Sequence, residues 1–175
     1  QAIEGLGVHS LAIKDMAGIL KPEAGYQLIR ALKETVKIPI HLHSHDTSGN
    51  GLALYSRAID AGVDILDVAN PALSGLTSQP NAASLAAIRQ GRDQKVSSPR
   101  PGEEALTRYW QVTRSYYQAF ESQLKAPWPG VYDYEMPGGQ YTNFQFQAQS
   151  LGLGDRFDQV LDAYQAANRL LGDIT

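Results

Sequence analysis

The chain has 175 residues, and its 15 Lys and Arg against 18 Asp and Glu give a net charge of -3. This length suits one domain, or one domain with part of another, and the slightly acidic balance argues against nucleic acid or an anionic membrane as a partner. Cysteine is absent, which excludes disulfides, thiolate metal sites and cysteine nucleophiles. No apolar run is long enough to span a membrane and no signal peptide is evident. Because the sequence opens at Gln1 without a Met, we expect it to begin inside a longer chain.

Residues 1–90 alternate short apolar runs with longer amphipathic ones. The pattern predicts strands at 8–13, 38–43 and 63–68 and helices at 22–36, 49–61 and 81–90. Pro22 suits a first helical turn, and Asn81 can cap the third helix. Alternating strands and helices are typical of a parallel sheet. Three such units cannot close an eight-stranded barrel, so the pattern predicts either a small open sheet or part of a barrel.

The composition then changes. Residues 91–102 are polar with two prolines, which predicts a linker, and 103–124 predicts one long helix. A loop rich in Pro and Gly is expected at 125–139, followed by helices at about 140–151 and 154–171. The second half is therefore predicted to be mainly helical. We expect the aromatic side chains of Trp110, Tyr117 and Phe120 to belong to its core.

Three of the four histidines, His41, His43 and His45, are spaced two residues apart. On a strand, this spacing puts all three imidazoles on one face. One interpretation is a solvated strand end; the other is half of a divalent metal site, which would also need oxygen ligands because no thiolate exists. Asp46 and Thr47 follow directly and could orient the imidazoles.

Two further features could carry chemistry. Lys14 ends an apolar strand, where the active sites of α/β proteins are built, although a surface lysine would also fit this position. The glycine pair in 136–143 could open a helix and offer backbone N–H groups to an anion or carbonyl, close to Thr142; ordinary helix capping is the alternative. The loop at 73–80 is expected to line a pocket. Asp64 and Asp67 should lie on opposite strand faces and form no paired-carboxylate site.

Four stretches, at 12–18, 41–49, 74–80 and 135–143, occur in the order found in one known family. They resemble the carboxyltransferase domain of the pyruvate carboxylases, a family of biotin-dependent carboxylases, and the resemblance runs essentially from end to end. It implies an α/β fold: the C-terminal portion of a TIM (β/α)8 barrel followed by a mainly α-helical region. The implied divisions are the last βα units at 1–90, a linker at 91–102, and a helical region folding over the barrel mouth at 103–175.

The resemblance also implies a reaction and its residues. Lys14, carboxylated on its N6 amine, would bind a divalent metal (zinc, manganese or cobalt) together with His43 and His45, while His41 has no ligand role. Thr142 would contact biotin and carry a proton from the pyruvate methyl group to the biotin enolate left when carboxybiotin releases carbon dioxide. The pyruvate enolate would then attack carbon dioxide to give oxaloacetate.

Other partners follow from the same resemblance. Biotin would come from a carrier domain, and ATP would be used by a biotin carboxylase domain, both outside this chain. We expect a homo-oligomer in the cytoplasm, or in the mitochondrial matrix of a eukaryote, and no turnover by this chain alone. The alternatives are the α subunit of a biotin-dependent oxaloacetate decarboxylase or transcarboxylase, and an inactive fragment with only a structural metal site.

Overall fold

The computed structural model describes residues 2–90 and 101–172. Most of the predicted linker, 91–100, therefore lies outside the described residues. The described N-terminal part contains a parallel three-stranded sheet in the order β1-β2-β3. Its strands are β1 (Leu11–Asp15), β2 (Ile40–Ser44) and β3 (Ile65–Leu66), and its helices are α1 (Pro22–Thr35), α2 (Gly51–Ala61) and α3 (Ala82–Gln90).

One face of the sheet packs against the helices because the strand residues alternate between faces. Ile40 and Leu42 of β2 are fully buried against Ile29 of α1 and against Leu54 and Tyr55 of α2. Pro22 begins α1 and Asn81 accepts backbone hydrogen bonds at the start of α3, as the sequence predicts. The predicted third strand is much shorter than expected, with only two residues in β3.

The opposite face of the sheet is open. Ala12 and Lys14 of β1 are exposed, Ile65 of β3 is 43% exposed, and His41 and His43 of β2 are half-buried. Ala12 and Lys14 thus share one face of β1. The open face therefore carries Lys14, His41 and His43, whereas the polar residues Asp15 and Ser44 at the strand ends are buried.

The described part of the second half is helical. It contains α4 (Glu103–Tyr116), α5 (Val131–Tyr134), α6 (Gly138–Ser150) and α7 (Phe157–Leu170). Short 3-10 turns lie at Glu4–Leu6, Pro71–Leu73, Gln118–Phe120 and Gly154–Arg156. A second core forms where Met136, Tyr141 and Leu161 meet Trp128 and Phe157. Within the described residues, no helix has both the length and the apolar character needed to cross a membrane.

The prediction of one long helix over 103–124 is wrong, because α4 ends at Tyr116. The chain turns there, and Glu121 folds back to form an ion pair with Arg114. The expected aromatic core is also wrong: Tyr117 is 60% exposed and Phe120 is 75% exposed. Since no residue of α4 is buried, this helix has no apolar core of its own to extend.

The helical region contacts the residues that directly follow β1 and β2. The amide of Trp128 donates to the carbonyl of Thr47 at 2.7 Å, and the Tyr132 hydroxyl donates to Ser48 Oγ at 3.2 Å. The amide of Gly138, the first residue of α6, faces the carbonyl of Met16 at 3.4 Å. The helices therefore lie across the C-terminal ends of the parallel strands, where active sites of α/β folds are found.

Candidate functional site

The sheet register brings Lys14 next to His43. These two residues are direct partners in the pairing of β1 with β2, and both side chains lie on the open face. His45 lies two residues after His43, just beyond the end of β2, and the centroids of the two rings are 5.2 Å apart. The amine and two imidazoles singled out in the sequence thus come from neighbouring strand ends.

Asp67 holds two of the histidines. Its Oδ2 lies 2.7 Å from His43 Nδ1, and its Oδ1 lies 2.8 Å from His41 Nε2. Partial burial raises the pKa of Asp67, but the hydrogen bonds from His43 and His41 outweigh it, so the net pKa is below its ordinary value. Asp67 is therefore an ionised acceptor at neutral pH, and the facing imidazole nitrogens donate to it.

His45 is held by the main chain instead. Its Nδ1 lies 2.7 Å from the carbonyl oxygen of Thr77. Since a carbonyl only accepts, this nitrogen carries the hydrogen and Nε2 keeps its lone pair. The side-chain Nε2 of Gln79 is 3.4 Å from that lone pair. Burial lowers the pKa of His45, and neighbouring His43 lowers it further, against the raising effect of the Thr77 bond. A neutral imidazole is the form that binds metals.

These residues supply part of a metal site. Both His43 and His45 are bonded through Nδ1, so Nε2 is the atom that each would offer to a metal. At His45 the metal would replace the 3.4 Å contact with Gln79. Among residues 2–90 and 101–172, no three His, Asp or Glu side chains are grouped so that they could hold a metal ion. Protein metal sites of this kind use three or four protein ligands. The two imidazoles therefore fit a metal only together with a further donor, for which Lys14 is the neighbouring candidate.

The start of α6 reaches the same place through Thr77. A Cβ added to Gly138 would lie 2.9 Å from Thr77 Cβ and 3.1 Å from Thr47 Oγ1, so only glycine allows α6 to approach this closely. Thr77 therefore touches α6 with its side chain while its carbonyl holds His45. Thr142, in the second turn of α6, donates its hydroxyl to the Gly139 carbonyl at 3.1 Å.

A cavity of about 500 Å³ lies beside Thr142. Its wall comes from the loop at 73–78, from α4 and the turn after it, and from α6. Trp110, Tyr117 and Phe120 line it, so these aromatic side chains face a pocket rather than a core. The prediction that the 73–80 loop lines a pocket agrees with this arrangement. Small-molecule sites in proteins have volumes of roughly 300–1,000 Å³.

Asp46 and Thr47 do not bond the imidazoles as the sequence suggested. Asp46 accepts the amide of Gly51 at 2.8 Å, and burial raises its pKa. Thr47 is fully buried, and its hydroxyl has no hydrogen-bond partner in the described part of the chain. The orienting groups are Asp67 and the Thr77 carbonyl instead, and sequence reasoning missed both. The register pair of His41 with Ile65 places Asp67 opposite His43, and this register is not visible in the sequence.

Asp15 was also missed. This buried carboxylate accepts the amides of Gly18 at 2.9 Å, Ile19 at 3.0 Å and Leu20 at 3.0 Å, and the Ser44 hydroxyl at 2.8 Å. It thereby ties the turn after β1 to the end of β2. Gly18 has a φ of +73°, and a Cβ there would lie 2.4 Å from the carbonyl oxygen of His45, so the turn requires glycine.

Two family models match the chain. The one described as HMGL-like matches residues 1–76, and the one described as Conserved carboxylase domain matches residues 131–175. The first covers the sheet with the two histidines, and the second covers α6 with Thr142. The chain is therefore part of an HMGL-like barrel protein that carries a conserved carboxylase domain, which confirms the predicted fold class.

Comparison with individual relatives narrows the family to which the chain belongs. The pyruvate carboxylase of Bacillus subtilis is 51% identical over 172 residues, and that of Staphylococcus aureus is 56% identical over 172 residues; each alignment covers 98% of this chain. The carboxyl transferase domain of Rhizobium etli pyruvate carboxylase, solved with pyruvate and biocytin, is 47% identical with a TM-score of 0.91, covering 99% of this chain and 29% of that one. The chain belongs to the pyruvate carboxylase family, as a segment of the carboxyltransferase domain. It spans 15% of the length of these two bacterial relatives.

Proposed function

We propose that this chain is the carboxyltransferase segment of a pyruvate carboxylase, which transfers carbon dioxide from carboxybiotin to pyruvate and yields oxaloacetate. One observation carries the proposal: Thr77 contacts both parts of the site. Its carbonyl holds His45 at 2.7 Å, and its side chain abuts Gly138 at the start of the helix that carries Thr142. His45 and the helix that carries Thr142 thus share one neighbour.

Lys14, His43 and His45 are the residues that would hold the divalent metal. Their positions at the ends of β1 and β2, and the Nδ1 bonds that turn the Nε2 of both imidazoles away from Asp67 and Thr77, support this assignment. Carboxylation of the Lys14 amine would turn a cation into an anionic oxygen donor, which a site without thiolates needs. When bound, the metal would stabilise negative charge on a carbonyl oxygen. Zinc, manganese and cobalt all accept nitrogen and oxygen donors.

Thr142 is the group that would move the proton. A hydroxyl both donates and accepts, so it can give its own proton to the biotin enolate while it takes one from the pyruvate methyl group. The pyruvate enolate that remains forms the new carbon–carbon bond with carbon dioxide. The position of Thr142 on the wall of the 500 Å³ cavity supports this role, because biotin and pyruvate need a pocket of that size beside it.

The partners of the enzyme belong to the proposal as well. Biotin would arrive on a carrier domain after an ATP-dependent biotin carboxylase has charged it, and we expect the enzyme to be a homo-oligomer. The proposed division is into barrel units at 1–90, a linker at 91–102 and a helical region at 103–175; the end of α3 at Gln90 and the start of α4 at Glu103 support it. We expect the enzyme in the cytoplasm, or in the matrix if its source is eukaryotic; the human relative is a mitochondrial pyruvate carboxylase.

The test is a pair of substitutions in the complete enzyme that contains this segment. Thr142→Ala removes the relay hydroxyl, and Thr142→Ser retains it. We expect Thr142→Ala to lower oxaloacetate formation by about 10²- to 10⁴-fold, the range for loss of a positioned acid–base group, with ATP-dependent carboxylation of biotin unchanged. Thr142→Ser should recover most of the activity. Full activity of Thr142→Ala would contradict the assigned role.

The same assay separates the alternatives. A pyruvate carboxylase forms oxaloacetate from pyruvate, bicarbonate and ATP, whereas an oxaloacetate decarboxylase runs in the opposite direction without ATP. A fragment with a purely structural metal would lose its fold, rather than its turnover alone, when His43 or His45 is replaced by Ala. Loss of turnover with the thermal unfolding midpoint retained would favour the catalytic site.

A further inference from the structure

A carboxylate lies behind the imidazole of His43, and it is fixed from three directions. Asp67 directs Oδ2 to His43 Nδ1 at 2.7 Å and Oδ1 to His41 Nε2 at 2.8 Å. Its backbone amide donates to the carbonyl of Leu42 at 3.1 Å, which continues the pairing of β3 with β2 beyond the two strand residues. Neither the main chain nor the side chain of Asp67 can therefore turn without breaking a bond to β2.

We propose that Asp67 and His41 act as a positioning pair that fixes the tautomer and ring orientation of His43 for metal binding. The inference rests on the proposed metal site and adds to it two residues with no ligand role. An acceptor on Nδ1 keeps the hydrogen on that nitrogen, so the lone pair of His43 stays on Nε2. His41 occupies the second oxygen, which holds the carboxylate in the plane that His43 requires.

The three histidines of the row have different roles in this proposal. His43 and His45 present Nε2, whereas His41 uses its Nε2 to bond Asp67 and so points its polar atom toward the carboxylate. His45 takes its orientation from the main-chain carbonyl of Thr77, which no side-chain substitution removes. Of the two proposed ligands, loss of Asp67 should therefore loosen His43 and leave His45 in place.

Asp64 offers a matched control on the same short strand segment. Its side chain is 36% exposed, close to the 40% of Asp67. Asp64 faces the other side of the sheet, where it bonds Lys33 at 2.8 Å and the amide of Ile40 at 2.7 Å. A substitution of Asp64 by Asn thus perturbs the same strand, with the same change of charge, without touching an imidazole.

The experiment measures the metal affinity of the complete enzyme by competition with a chelator, with zinc and manganese as the probes. The thermal unfolding midpoint, and kcat and KM for pyruvate, are measured for each variant as well. We expect Asp67→Asn to weaken metal binding by about 10- to 100-fold, the range for loss of a group that orients a ligand, and to lower kcat once metal is limiting. Asp64→Asn should change metal affinity by less than about twofold. His41→Gln, which keeps a donor, should bind metal more tightly than His41→Phe.

Three outcomes would overturn the positioning role. One is equal metal affinity in Asp67→Asn and Asp64→Asn. Another is equal metal affinity in His41→Gln and His41→Phe, a comparison that decides the question by itself if Asp67→Asn loses its metal only through unfolding. His43→Ala separates this failure from that of the proposed function: if His43→Ala keeps its metal, the metal site itself is wrong and the positioning role falls with it.

Discussion

Replacement of Asp15 by Asn tests whether one buried carboxylate sets the end of β1 beside Lys14. Asp15 accepts three amides and one hydroxyl, with two amides on Oδ1 and the Leu20 amide and Ser44 hydroxyl on Oδ2. Asn offers one acceptor oxygen and one donor nitrogen in the same shape. The favourable orientation of the Asn side chain keeps its oxygen at the position of Oδ1. The Ser44 hydroxyl can then rotate, so that it accepts a hydrogen bond from the new NH₂ group instead of donating one.

The amide of Leu20 then faces a donor and loses its acceptor. One unsatisfied donor of this kind costs about 1–3 kcal/mol, so Asp15→Asn should lower the free energy of unfolding by that amount. Asp15→Ala leaves three amides without the carboxylate and should cost more than Asp15→Asn. The assay is urea unfolding of the complete carboxyltransferase domain, with Ser44→Ala as the control that removes a single donor to Oδ2. Wild-type stability in Asp15→Asn, within about 0.5 kcal/mol, would refute the reasoning.

Two other predictions concern Asp64, on the sheet face opposite His43, and the activity of the isolated chain. Burial raises the pKa of Asp64, but hydrogen bonds from Lys33 and from the Ile40 amide outweigh it and leave the pKa below normal. A depressed pKa stabilises the fold above the unfolded value of about 4 and loses this effect as the pH falls through the folded value. Asp64→Asn should therefore cost about 1 kcal/mol at neutral pH, discounted for exposure, and nothing in strong acid, as pH-dependent urea unfolding would show. The isolated chain should form no oxaloacetate from pyruvate and carboxybiotin, because the described residues provide only part of a metal site; turnover by the purified chain would disprove this.

Local sequence patterns predict most of the N-terminal half because each element there has a local physical cause. Pro22 begins α1, Asn81 caps α3, and the alternation around Ile40 and Leu42 buries one face of β2. The third strand was overestimated because only Ile65 and Leu66 are in register with β2. Beyond the end of α4, Glu121 forms an ion pair with Arg114, a contact that no periodicity reveals.

In the candidate site, too, some residues could be predicted from the sequence and others could not. The row of His41, His43 and His45 and the strand-end position of Lys14 could be found because strand parity and strand ends are visible in the sequence. The choice of His43 and His45 over His41 came from the family resemblance. The partners of the imidazoles could not be found, since Asp67 is 24 residues from His43 and the Thr77 carbonyl is 32 residues from His45. A backbone carbonyl has no sequence signature at all. The glycine at 138 was noted for its free amide, whereas the structure shows that its missing side chain lets α6 pack against Thr77.

The double contact of Thr77 links two motions mechanically. A shift of α6 away from the strand ends would open the space around the Thr77 side chain, and a shift of Thr77 would carry its carbonyl away from His45. The position of α6 and the orientation of the His45 ring are therefore coupled through one residue. Under the proposed function, this coupling would place the proposed relay hydroxyl of Thr142 and the proposed ligand His45 together.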